Sequence, residues 1–168
     1  MVVTSSPNYS IKGNHNRTDY GSLISGVRPN RSMESNMTIS GPSGDVLAVK
    51  DDSIERPIPT AWRQTFREIV ACFVASDYCL AAGVAGGEPI APDTAVHIKA
   101  NLQSYGASLV ALPEETWDSS VCIWYDDHWE ALVDLWTQEE GRSDLVLHTH
   151  VVDGAFGATI FVHLVYVP

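Results

Sequence analysis

No apolar run in this chain is long enough to cross a membrane, and its start, Met1-Val2-Val3-Thr4-Ser5-Ser6-Pro7, lacks the basic stretch and apolar core of a secretory leader. A soluble, cytoplasmic protein is expected. Cysteine is scarce: with three in 168 residues at least one thiol stays unpaired, and Cys72 and Cys79, seven apart on a helical pattern, lie too far along the axis to bridge easily. All three read as small buried residues. Catalytic signatures are missing as well. Gly83-Val84-Ala85-Gly86-Gly87 lacks the Lys-Ser/Thr of a phosphate loop and follows a helix rather than a strand, and neither a Gly-x-Ser-x-Gly elbow nor a Cys-x-x-Cys pair occurs. The sequence therefore assigns no catalytic residue, no metal and no cofactor, and leaves open whether the protein is an enzyme.

Basic side chains are few, ten Lys/Arg against twenty-one Asp/Glu, for a net charge of −11. The imbalance is local. Residues 1–56 hold six of each kind, whereas residues 57–168 hold four basic and fifteen acidic. Such a domain repels phosphate backbones, which argues against nucleic-acid binding, and it can steer a basic protein partner toward itself. The plain alternative is that the acidity serves solubility. The neutral first part is rich in Ser, Asn and Gly and shows no sustained apolar period, so a flexible tail over 1–56 precedes an acidic domain over 57–168. Residues 37–40 and 46–49 are its β-capable pieces.

From residue 60 onward periodicity takes over. Trp62, Phe66, Ile69, Val70, Phe73 and Val74 recur at three- and four-residue spacing and predict a helix over 60–78, with Thr60 as N-cap. A second helix is expected from Pro92 to Tyr105, stopped by Gly106, and a helical turn from Pro113. Residues 81–87 read as a flexible apolar loop. Residues 121–125, 129–137, 144–153 and 158–167 alternate as strands, and the connections between them favour sequential antiparallel pairing. The expected fold is α+β: two helices packed on one face of a four-stranded antiparallel meander. Phe66, Ile69, Val70, Phe73, Val133, Leu135, Val146 and Ile160 are the expected core.

Three groups of side chains are candidates for a site. If Gly154-Ala155-Phe156-Gly157 closes a hairpin with Asp153 facing Ala158, His148 stands opposite His163 and His150 opposite Phe161, all on one face. Two such imidazoles can ligate one metal, with Asp134 of the neighbouring strand as the natural third ligand, unless a one-residue slip in the loop 138–143 turns it to the other face; otherwise they are half-buried or solvent-facing sheet histidines titrating near neutrality. A tight turn at Asp126-Asp127 sets Trp124 across from Trp129, either as packing or as the aromatic wall of a binding surface. The acidic groups at 126–128 and 139–144 read as solvated turns.

Several segments are familiar: Ile58-Pro59-Thr60-Ala61-Trp62-Arg63-Gln64-Thr65-Phe66, Leu112-Pro113-Glu114-Glu115-Thr116-Trp117, Ser120-Val121-Cys122, Leu132-Val133-Asp134-Leu135-Trp136-Thr137, Glu140-Gly141-Arg142-Ser143-Asp144-Leu145 and Val162-His163-Leu164-Val165-Tyr166-Val167-Pro168. Over about two thirds of the chain they resemble a family of small bacterial proteins classed as a domain of unknown function. That resemblance implies no activity. The helix-then-meander order is also similar to the cystatin-like fold of nuclear transport factor 2 relatives, whose concave sheet face serves as a pocket or a dimer surface. Dimerisation is compatible with it, although the oligomeric state is not fixed. The leading functional expectation is a small acidic protein-binding module of the accessory or immunity type. Its rival is a small-molecule binder or enzyme using a pocket between the first helix and the sheet, with His148, His163 and Asp134 as polar groups.

Overall fold

The structure is a computed structural model, and it describes residues 44–168. Strand β3, His128–Thr137, organises the rest. Trp129, Ala131, Val133, Leu135 and Thr137 are all buried while the residues between them are half-buried, the period-two signature of a strand with one covered face. It pairs on one side with β2, Val121–Tyr125, and on the other with β4, Gly141–Gly154, which pairs in turn with β5, Gly157–Tyr166. A fifth strand, β1, Arg56–Pro57, adds to β2, so the antiparallel sheet has five strands in the order β1-β2-β3-β4-β5 and not four. So short a piece, containing a proline, leaves no alternating pattern to read. Proline is tolerated there because β1 is an edge strand.

Helix α1, Thr60–Val74, lays Trp62, Phe66, Ile69, Val70 and Phe73 into the core. Thr60 does not cap it. Pro59 occupies that position, and the Thr60 hydroxyl accepts a bond from the Val46 amide at 2.9 Å while the Thr60 amide donates to the Val46 carbonyl at the same distance. The helix stops four residues earlier than its periodicity suggests because Ser76 turns to a positive φ of 65°, and the Asp77 carboxylate then binds the amides of Ala81 and Ala82. Helix α2, Pro92–Tyr105, keeps its expected bounds. Pro92 opens it, Gly106 closes it at φ 83°, and Ala95, Ile98 and Leu102 are buried. Asn101 Nδ2 ties it to the Val165 carbonyl of β5 at 2.7 Å. A 3-10 turn, Glu114–Asp118, buries Trp117 against Phe66.

The stretch expected as a flexible loop is pinned. The Ile160 amide donates to the Gly86 carbonyl at 2.8 Å and the Glu88 amide to the Ile160 carbonyl at 2.9 Å, a parallel bridge along the outer edge of β5. Part of that edge is thereby closed to pairing with another chain. At the other end, the expected boundary between residues 56 and 57 falls inside β1. Residues 46–51 also hold the domain, through the Val46–Thr60 bonds and a 3.0 Å bond from Trp129 Nε1 to the Val49 carbonyl. Residues 1–43, including the β-capable piece at 37–40, lie outside the described residues. All eight expected core residues are buried.

Candidate functional site

Parity builds the face of the sheet that points away from the helices. The half-buried residues of β3 are His128, Glu130, Leu132, Asp134 and Trp136. Register sets Tyr125 of β2 beside His128, and His150 and His148 of β4 beside Glu130 and Leu132. On β5, Phe161 stands across from His150 as its sequence implied, whereas Leu164 and not His163 stands across from His148. The reason is a β-bulge: His148 pairs with Leu164 and Thr149 with Val162, so His163 is the extra residue on β5. Its ring still joins the others, 3.8 Å from His150 and 5.7 Å from His148 between centroids. His128 lies 4.2 Å from His150. Four imidazoles and the Glu130 carboxylate therefore share one patch.

Within the patch, Glu130 Oε1 is 3.7 Å from His150 Nε2 and Oε2 is 3.9 Å from His148 Nε2. Both separations exceed a hydrogen bond. His148 Nε2 is buried and has no hydrogen-bond partner among the described residues. His128 is held differently, with Nδ1 2.7 Å from Asp127 Oδ1, and that bond is the main reason the Asp127 carboxyl sits below its usual range. Loss of hydration, followed by the neighbouring His163 ring, pushes His150 below the usual imidazole value; loss of hydration, followed by His148, does the same to His163. Both shifts favour the neutral ring, which has a lone pair to offer. One donor atom each from His128, Glu130 and His150 lies within 4.8 Å of the other two.

The other candidates fall elsewhere. Asp134 shares the face but not the patch: its Oδ2 accepts the Ser119 hydroxyl at 2.5 Å and lies 3.8 Å from Arg142. It lines an open depression of about 570 Å³ with Ser119, Arg142, Asp144, Val146 and Pro168. Trp124 and Trp129 do pair across β2 and β3, with ring centroids 4.4 Å apart. Trp129 is nevertheless a core residue at 1% exposure, edge-to-face with Trp62, so it offers no surface to a partner. The Lys50 ammonium sits over the half-buried Trp124 ring, 4.5 Å from its centroid.

The space between α1 and the sheet is filled by Trp62, Phe66, Ile69, Phe73, Trp117 and Trp129. His148, His163 and Asp134 lie on the other side of the sheet from this packing. Two members of the patch, His128 and Glu130, are not among the candidates that the sequence offers: Asp126-Asp127-His128 reads as a turn, and Glu130 stands alone in the pattern. The signal was present: both share the strand parity opposite to Trp129, Ala131 and Val133, as do His148 and His150 once β3 is paired with β4.

The profile of a family described as Domain of unknown function (DUF7668) matches residues 70–168, a span containing α2, β2 to β5 and every residue of the histidine patch. No curated protein and no solved structure matches the chain. Among the described residues no helix is long and apolar enough to cross a membrane.

Proposed function

We propose that this chain, which belongs to the family of domains of unknown function DUF7668, is a protein-binding module that docks a basic partner on the open face of its sheet. The observation that carries this reading is the contrast between the two faces. One is packed solid by α1 and α2, while the other leaves Tyr125, Val152 and Phe161 substantially exposed around the histidine patch. Aromatic anchors beside polar groups are the usual make-up of a protein interface.

Charge supports the choice of partner. From residue 121 to residue 166 there is one Arg and no Lys against eight Asp and Glu, among them Asp126, Asp127, Glu130 and Asp144 at or near this face. Opposite charge on the partner would raise its association rate and exclude acidic competitors. An accessory or immunity-type role, in which a small acidic protein masks a basic one, fits that complementarity. The test is capture by the full-length chain, with partners identified by mass spectrometry across a salt series. Recovery of a basic protein that is released as the screening length falls from about 10 Å at 0.1 M salt toward 3 Å at 1 M supports the reading. Recovery of no basic protein at low salt, or capture indifferent to ionic strength, opposes it.

A further inference from the structure

We propose that the histidine patch is a binding site for a divalent first-row transition ion, held by His128, Glu130 and His150, with Asp127 orienting the His128 ring. This inference does not depend on the partner proposed above. It begins with strand geometry. His150 lies directly across from Glu130 in the β3–β4 pair, and His128 is two residues from Glu130 on the same strand, so the three Cβ atoms share one face of the two central strands. In a tetrahedral site with bonds of 2.0–2.1 Å, neighbouring donor atoms are about 3.3 Å apart. Glu130 and His150 already approach to 3.7 Å, and the whole triad fits within 4.8 Å. Small side-chain rotations close it around an ion.

A simple ion pair accounts for the arrangement less well. At 3.7 and 3.9 Å the carboxylate is too far from His150 and His148 for hydrogen bonds, and His148 Nε2 is left buried without a partner among the described residues. The Asp127–His128 contact adds a feature that sheet packing does not require. A proton on Nδ1 satisfies Asp127 and leaves the lone pair on Nε2, the carboxylate–histidine support that metal-binding imidazoles commonly have. Two nitrogens and one carboxylate oxygen suit zinc, cobalt or nickel rather than magnesium or calcium, which take oxygen donors. With three protein ligands the ion keeps a position open. The His163 ring, tilted against that of His150 with centroids 3.8 Å apart, adjoins the triad.

The experiment is a calorimetric titration of the full-length, untagged protein with zinc chloride, with magnesium chloride as the comparison. One equivalent of zinc should bind at micromolar concentration or tighter, and magnesium should not bind. His150→Ala and Glu130→Gln should each weaken zinc binding at least about 100-fold. Asp127→Asn, at an exposed turn, should weaken it about 10- to 100-fold. His97→Ala, on α2, should leave it within about twofold. Imidazole ¹⁵N NMR of the unmutated protein provides a readout that survives misfolding of any variant: zinc should move the His128 and His150 signals and leave His97 in place. Failure to take up one equivalent, zinc affinity unchanged in Glu130→Gln, or zinc-dependent shifts at His97 in place of His128 and His150 would each overturn the assignment.

Discussion

Where the domain begins can be decided by comparing a chain that starts at residue 45 with one that starts at residue 55. The shorter chain keeps β1 but loses residues 46–51. Three sets of contacts go with them. The indole of Trp129, a core residue, loses the Val49 carbonyl as acceptor, and a buried donor left unpaired costs about 1–3 kcal/mol. The two exposed Val46–Thr60 bonds contribute about 1 kcal/mol together. The surface pairs Lys50–Asp153 and Arg56–Asp51 contribute about 0–1 kcal/mol. The expected destabilisation is about 2–5 kcal/mol. At about 4 °C per kcal/mol for a domain of this size, the transition should fall by roughly 8–20 °C. Differential scanning calorimetry of both chains in one buffer measures it. A difference below about 2 °C would refute the reasoning and move the start of the domain to β1.

Three further outcomes are expected. Gly86→Ala should destabilise more than Gly83→Ala in urea unfolding. Both glycines have a positive φ, but a Cβ at Gly86 would come within 3.2 Å of the Ala158 carbonyl oxygen and one at Gly83 would meet nothing. Leu135→Ala on the covered face should cost about 2–5 kcal/mol, and Leu132→Ala on the open face, where the side chain is half-buried, about 1 kcal/mol. Burial pushes the Cys122 thiol from 9.0 up to about 11, so at pH 8 it should resist alkylation in the folded protein and react on unfolding, as thiol-labelling kinetics will show. The same shift means that between pH 9 and 11 the unfolded chain holds the fewer protons, so stability should decline as pH rises through that window.

The large elements could be read from the sequence because their physics is local. The apolar stripe from Trp62 to Phe73 and the Pro92 and Gly106 stops of α2 need no tertiary information. The Gly154–Gly157 turn likewise sets the register that places His150 opposite Phe161. What escaped depended on contacts between distant segments. Residues 46–51 carry no period of their own and are held by Thr60 and Trp129. The early end of α1 at Val74 reflects the Asp77 carboxylate binding amides ahead of it, and the anchoring of residues 86–88 depends on Ile160. At the site, one inserted residue on β5 was enough to exchange His163 for Leu164 opposite His148. A side-chain period of two cannot reveal such an insertion unless the partner strand is known. Asp134 shares the open face, but Glu130, two full periods earlier on β3, is the carboxylate that the histidines surround.

The central claim is that this protein works through the open face of its sheet. It is tested most directly by placing one charge on each side and measuring partner capture by the two full-length variants at low salt. Phe161→Glu alters the open face beside His150, and Val96→Glu alters an exposed position on α2. With both variants folded by thermal melting, the account expects Phe161→Glu to lose the captured partner and Val96→Glu to retain it. Loss in Val96→Glu together with retention in Phe161→Glu would contradict it.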